Sequence, residues 1–143
     1  MLNQYEQLLH KYRNRFFEER LGGTGLAGSS GFYLMKIVQS GPVKMNNIVE
    51  DAPFHKSQAT RAITRLNHCR LVEKTVDGAD QRGYILEATT AGCQACTVVA
   101  SAVEDWDKLL ASALNSEEIA LLNALTQKMY MHVKNYFEEE KRR

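Results

Sequence analysis

In the middle of the chain, the spacing of the apolar residues changes from a helical to a strand-like period. This change restricts the possible folds more than any other feature of the sequence. Two short segments each carry four apolar residues at i, i+3, i+4 and i+7, which is typical of an amphipathic helix. These residues are Met45, Ile48, Val49 and Ala52 in the first segment and Ala59, Ala62, Ile63 and Leu66 in the second. Alternation then predicts strands at 72–76 and 84–86, with a turn at 77–80. Two short helices followed by a hairpin predict a winged helix-turn-helix.

Longer helical patterns lie on both sides of this centre, so we expect a mainly α protein with a small β-hairpin wing. Asn115 and Glu118 have the spacing of a capping box at the start of the last helix. Wide apolar stripes on terminal helices are often buried against a second copy of the chain, which predicts a homodimer. The predicted dimerisation residues are Leu8, Tyr12, Phe16, Leu122, Leu125, Met129, Val133 and Tyr136. In this single chain of 1–143, dimerisation helices at 1–21 and 91–143 would flank a winged-helix region at 32–90.

The charge balance and the hydropathy of the chain exclude several classes of protein. Lys and Arg total 18 against 17 acidic residues in 143, which excludes a polybasic protein but leaves room for a local basic surface. No apolar run approaches the roughly 18 residues that span a bilayer, and the N-terminus lacks the order of a signal peptide. Three cysteines are too few for a disulfide scaffold. We therefore expect a soluble, cytoplasmic protein without membrane contact.

The second helix of the pair, at 55–69, has the character of a DNA-reading helix. No acidic residue lies between Ala52 and Val72, and the outward face carries cations, an amide and hydroxyls. Arg and Gln side chains make paired hydrogen bonds to guanine and adenine in the major groove, and hydroxyls bind phosphate oxygens. The predicted DNA-binding residues are Lys56, Ser57, Gln58, Thr60, Arg61 and Arg65. The alternative is an ordinary solvated helix face.

The predicted hairpin tip contains Asp80 and Arg82, which complete the predicted DNA-binding set. A bare tip with one arginine could insert it into the minor groove, where a narrow width deepens the negative potential. Because Asp80 cannot attract phosphate, we expect it to pair with a nearby arginine and hold the shape of the wing. The alternative is an ordinary polar turn.

The central span from Leu26 to Gly92 resembles the MarR family of bacterial winged-helix repressors and activators. The ordered segments that carry the resemblance are Ser57 to Leu66, Leu71-Val72-Glu73, Asp80-Gln81-Arg82 and Thr89-Thr90-Ala91-Gly92. The flanking helices match as well, so the resemblance covers essentially the whole chain. It implies a homodimer on a pseudo-palindromic operator, with double-stranded DNA as the partner and a ligand or oxidant that alters binding.

The chain departs from the family pattern at three positions. Arg70 stands where the family commonly has a glycine, so it would have to adopt a left-handed backbone at some cost. His55 stands where a Ser or Asp often caps the recognition helix, which predicts a poorer cap. Ala88 replaces a leucine. These departures concern local geometry and remove no predicted DNA contact.

Cys93 and Cys96 form a CxxC at the predicted start of the fifth helix. Thiolates are stabilised at helix N-termini, so a thiol-based redox-sensing regulator is one alternative function. The simpler interpretation places both on an inward apolar stripe with Ala100, Val103 and Leu110, as buried cysteines of the core. A zinc site would need two more ligands, and we expect no metal and no cofactor.

Two further expectations concern ligands and the remaining function classes. A small aromatic ligand could bind between the dimerisation helices and the winged helix, in a pocket to which six aromatic residues could contribute. These are Tyr5, Tyr12, Phe16, Phe32, Tyr33 and Trp106; core packing is the alternative for most of them. The four histidines are dispersed and no catalytic set stands out, so we expect no enzyme. A winged-helix interaction module that does not bind DNA is the remaining alternative.

Overall fold

The computed structural model describes residues 4–50 and 52–143, and the chain divides into two compact units, Met1–Trp106 and Asp107–Arg143. The helices are α1 (Gln4–Leu21), α2 (Ser29–Ser40), α3 (Met45–Glu50), α4 (Lys56–His68), α5 (Thr90–Ala111) and α6 (Ser116–Arg142). The strands are β1 (Val43–Lys44), β2 (Val72–Val76) and β3 (Tyr84–Ala88). The predicted mainly helical architecture with a winged helix-turn-helix is confirmed. No helix in the described part of the chain combines the length and the apolar composition that crossing a bilayer requires.

The core of the first unit forms around the inward face of α4. Ala59, Ala62, Ile63 and Leu66 are all buried, which confirms the face predicted from their spacing. They belong to one cluster with Tyr33, Leu34 and Ile37 of α2, Val72 of β2 and Leu86 of β3. The outward face of α4 is therefore left free for another role.

The hairpin is the predicted one, but the sheet contains a third strand. The strand order is β1-β3-β2, and both pairings are antiparallel. Val72 pairs with Ala88 and Val76 with Tyr84, so β3 extends beyond its predicted end at Leu86. The sequence does not predict β1, because two residues after Pro42 are too short to display an alternating pattern.

Helix α2 begins at Ser29, three residues before residue 32, where the predicted winged-helix region starts. Ser30 and Gly31 are buried at the start of the helix. A Cβ atom on Gly31 would stand 2.2 Å from the carbonyl oxygen of Leu26. Small residues at this point therefore allow close packing against the preceding loop, although they carry no apolar signal of their own.

The capping box of α6 is present as predicted. The Asn115 side chain accepts a hydrogen bond of 2.8 Å from the backbone N–H of Glu118, and the backbone N–H of Asn115 donates to the Glu118 carboxylate at 3.0 Å. This pair of hydrogen bonds satisfies two of the backbone groups that a helix start leaves unpaired.

Arg70 has the left-handed backbone that its place in the family pattern predicts, with a φ of 58°. Among the described residues it is the only non-glycine with a positive φ. A residue with a Cβ atom is strained at this φ, so Arg70→Gly is expected to stabilise the fold by about 1 kcal/mol. The greater conformational freedom of glycine in the unfolded chain offsets part of this gain. Urea unfolding followed by circular dichroism measures the change. Asn67→Gly, inside α4, is the matched control and should lower stability by roughly 0.3 kcal/mol, because asparagine is itself a weak helix former; two variants that both destabilise would contradict the strain.

Candidate nucleic-acid interface

The predicted reading face of α4 is exposed along its whole length. Lys56, Ser57, Gln58, Thr60, Arg61 and Arg65 all have exposed side chains. The helix contains no acidic residue. No carboxylate of the described residues forms an ion pair with Arg61 or Arg65. The face therefore presents uncompensated positive charge beside an amide and hydroxyls.

His55 caps the start of α4 in place of the usual short polar residue. Its Nδ1 accepts a hydrogen bond from the backbone N–H of Ser57 at 3.4 Å and lies 3.0 Å from the Ser57 hydroxyl. The imidazole thus satisfies one of the free N–H groups of the helix start, over a longer distance than a typical hydrogen bond. Its position beside Ser57 also makes the histidine a neighbour of any phosphate that the hydroxyl would bind.

The side chains on the reading face differ in the contacts that they already make within the chain. The Arg61 Nε donates to the carbonyl oxygen of Ser57 at 3.4 Å, and the Thr60 hydroxyl donates to the carbonyl oxygen of Lys56 at 3.0 Å. The Cδ atom of Arg65 lies 3.9 Å from where a Cβ on Gly25 would stand, so this side chain passes beside the α1–α2 loop. Arg61 and Thr60 are therefore held by the backbone of their own helix, whereas Arg65 lies beside the preceding loop.

Asp80 shapes the wing through the backbone and not through an arginine side chain. Its carboxylate accepts a hydrogen bond from the backbone N–H of Arg82 at 3.1 Å, and its carbonyl accepts from the N–H of Gly83 at 2.9 Å. No ion pair of Asp80 with an arginine occurs in the described part of the chain. The expected Asp–Arg pairing is wrong because the turn brings the amide of Arg82 to the carboxylate. The Arg82 side chain is exposed and unpaired among these residues.

Asp77 is a wing residue that the sequence analysis missed. It is buried, and its carboxylate accepts from the N–H of Ala79 at 3.0 Å and lies 3.8 Å from the Lys44 ammonium. Its own N–H donates to the carbonyl of Gly83 at 3.0 Å. Asp77 thus joins the base of the wing to β1, a contact that no sequence signal could have indicated because β1 itself was not predicted.

The two cysteines of the CxxC lie in different environments. Cys96 is buried, but Cys93 is exposed, so the predicted inward position of Cys93 is wrong. Gly92 occupies the inward position instead, and Cys93, the next residue around the helix, faces solvent. Burial raises the pKa of the Cys96 thiol, and the neighbouring Cys93 raises it further. The fraction of reactive thiolate at Cys96 is lowered, which disfavours a redox switch that depends on this thiol.

The aromatic residues proposed for a ligand pocket do not form one pocket in the structure. Phe16 contacts Phe17 and Trp106, with ring centroids 5.8 and 5.4 Å apart. Phe32, Tyr33 and Phe54 form a second cluster, while Tyr5 and Tyr12 are exposed. The Tyr33 hydroxyl is buried and has no hydrogen-bond partner among the described residues, and burial raises the pKa of its phenol.

The predicted dimerisation residues are exposed, with one exception. Leu8 and Tyr12 of α1 are exposed, whereas Phe16 is half-buried by its contacts within the chain. Helix α6 has no buried residue. Its five predicted dimerisation side chains are 49% to 56% exposed.

In the part of the chain that the structure describes, no group of three His, Cys, Asp or Glu side chains could hold a metal ion.

Solved structures with the same arrangement of elements are known, although no protein-family model and no curated protein sequence matches the chain. A crystal structure of MarR superposes with a TM-score of 0.83 at 20% identity, covering 97% of this chain and 95% of that one. The transcriptional regulator SlyA gives 0.84 at 18% identity and 96% of both chains. A cysteine-to-serine mutant of MarR from E. coli, in complex with operator DNA, gives 0.79 at 22% identity, covering 90% of this chain and 92% of that one. The chain therefore has the winged helix-turn-helix fold of the MarR and SlyA structures.

Proposed function

We propose that the chain is a MarR-type transcriptional regulator of the cytoplasm that binds a pseudo-palindromic operator as a homodimer. The observation that carries the proposal is the exposed, acid-free face of α4 together with a wing whose Arg82 is exposed. A structure with the same fold is known in complex with operator DNA. Binding of this kind needs no catalytic group, metal or cofactor, because Lys and Arg side chains neutralise phosphates and release counterions.

The exposed surface of the chain supports the homodimer. The predicted dimerisation side chains of α6 are 49% to 56% exposed and lie along one side of the helix at helical spacing; they are Leu122, Leu125, Met129, Val133 and Tyr136. A contiguous apolar stripe of this kind marks a protein–protein interaction site.

Modulation by a small ligand is part of the proposal, and the thiol switch is not. The regulator would move between conformations that differ in how α4 and the wing meet DNA, and a ligand that binds one of them better would shift the balance. The environment of Cys96 disfavours a disulfide-based alternative, since this thiol is buried with a raised pKa.

The first test is a salt titration of the purified protein on mixed-sequence duplex DNA, followed by selection of the preferred site. The proposal expects salt-sensitive binding and an inverted repeat with half-sites about one helical turn apart. Binding that is absent even at low salt, in reduced protein, would favour the interaction module that does not bind DNA.

Arg82→Ala tests the wing in the same assay. Because each phosphate contact contributes about one unit to the log–log salt slope, the variant should bind more weakly and flatten the slope by up to about one unit. Arg15→Ala is the matched control, since Arg15 is an exposed arginine of α1 that pairs with Glu19. An affinity and a slope that stay unchanged in Arg82→Ala would remove the wing from the interface.

A further inference from the structure

Two aspartates organise the turn between β2 and β3, one at its tip and one at its base. At the tip, the Asp80 carboxylate accepts a hydrogen bond from the N–H of Arg82 at 3.1 Å. At the base, the Asp77 carboxylate accepts from the N–H of Ala79 at 3.0 Å, and the N–H of Asp77 donates to the carbonyl of Gly83 at 3.0 Å. Asp77 therefore lies where the turn leaves the paired strands.

The Asp77 carboxylate also reaches across the sheet to another element. The strand order is β1-β3-β2, so β3 lies between Asp77, which follows β2, and Lys44 of β1. The carboxylate is 3.8 Å from the Lys44 ammonium, and no other cation of the described residues forms an ion pair with it. Helix α3, the first helix of the helix-turn-helix, begins at Met45, the residue after Lys44. The ion pair therefore joins the wing to the start of the helix-turn-helix.

The burial of this ion pair suits it to fixing geometry more than to adding stability. The side chain of Asp77 is 11% exposed, whereas that of Lys44 is 61% exposed. Replacing a buried ion pair with apolar residues often leaves stability unchanged, but leaving a buried charge without its partner is costly. The turn is therefore stable where the Asp77 carboxylate meets both the N–H of Ala79 and the Lys44 ammonium, and less stable in other orientations.

We propose that Asp77 is a positioning residue for DNA binding, which fixes the wing relative to the helix-turn-helix so that Arg82 and α4 reach the DNA together. This inference rests on the proposed function. The sign of the effect separates positioning from simple charge. A carboxylate repels phosphates, so charge alone predicts that its removal strengthens DNA binding. Positioning predicts that its removal weakens binding, because Arg82 is no longer held in place.

Asp77→Asn is the first variant, because the amide oxygen can still accept from the N–H of Ala79 while the charge opposite Lys44 is lost. Affinity for the selected inverted repeat is expected to fall several-fold, and the salt slope to flatten as it does in Arg82→Ala. In the Arg82→Ala background, Asp77→Asn should change the affinity by less than about twofold, since the arginine that it positions is absent.

Lys44→Met tests the same ion pair from its exposed side and should add no further loss of affinity to Asp77→Asn. Glu87→Gln is the matched control, because it removes an exposed carboxylate of the same hairpin, one that pairs with Glu73 across the ladder. This control should bind DNA at least as tightly as the wild type. A second readout needs no DNA: ¹⁵N relaxation of the full chain should show lower order parameters for the amides of 79–82 in Asp77→Asn and Lys44→Met, and unchanged ones in Glu87→Gln.

The positioning role would be overturned by an Asp77→Asn protein that binds DNA as tightly as the Glu87→Gln protein. An equal loss of affinity with and without Arg82 would also overturn it, because that result marks a general loss of structure. Order parameters that stay unchanged in both ion-pair variants would do the same. A wild-type chain that binds no DNA would overturn the proposed function, and the relaxation data would still decide whether Asp77 fixes the wing.

Discussion

Replacing Leu125 and Met129 together with glutamate is expected to leave a folded monomer in place of the proposed dimer. Both side chains are about half exposed in the single chain, at 49% and 50%, and lie on the apolar stripe of α6. Each carboxylate would be desolvated at the interface of two copies without a partner, and an unpaired charge buried in this way costs several kcal/mol. The single chain loses little, because α6 has no buried residue. Light scattering after size exclusion measures the mass, and circular dichroism checks that the helices remain.

The matched control places the same two glutamates on the opposite side of α6, as Asn123→Glu with Gln127→Glu. The spacing of four residues and the added charge are identical, so only the face differs. The control should remain a dimer and retain DNA affinity. The monomeric variant should lose about 100-fold or more in affinity for an inverted repeat, because two winged-helix regions are no longer linked to each other. A dimeric Leu125/Met129 variant, or a monomeric wild type, would contradict dimerisation through α6.

The parts of the interface that the sequence predicted are those that depend on local spacing. The inward set of α4, from Ala59 to Leu66, and the cations on its other side follow from a helical period of 3.6 residues alone. The capping box of Asn115 and Glu118 is likewise confined to one helical turn. Such features are recognisable in a single chain, because every residue that takes part is within a few positions of its partner.

The failures concern contacts between distant segments. Strand β1 exists through its pairing with β3, and Asp77 is held by Lys44 of that strand. The sequence pattern predicts Cys93 on the inward stripe of α5, because cysteine carries an apolar signal and glycine carries none. The buried residue is Gly92, which packs against the backbone at Leu71. A residue without a side chain thus allows this close approach of α5 to Leu71, and no periodicity could reveal it.

Gly92→Ala is therefore expected to be among the most damaging single substitutions in the chain. A Cβ atom at this position would stand 2.0 Å from the carbonyl oxygen of Leu71 and 3.0 Å from its carbonyl carbon. That oxygen accepts a hydrogen bond from the N–H of Thr89 at 3.1 Å, so moving it aside breaks a contact that holds α5 to the start of β2. Relieving this clash requires a backbone shift, which is expected to lower the free energy of unfolding by about 3 kcal/mol or more.

The measurement is thermal unfolding by circular dichroism, where a loss of this size lowers Tm by roughly 10 °C. Gly78→Ala is the matched control: no atom lies within 4 Å of its added methyl group, and its φ is not positive. Its stability should stay within about 1 kcal/mol of the wild type. Because Leu71 lies between Arg70 and β2, a Gly92→Ala protein that still folds should also bind DNA more weakly than the Gly78→Ala protein. Equal melting of the two variants would mean that α5 does not approach Leu71 this closely.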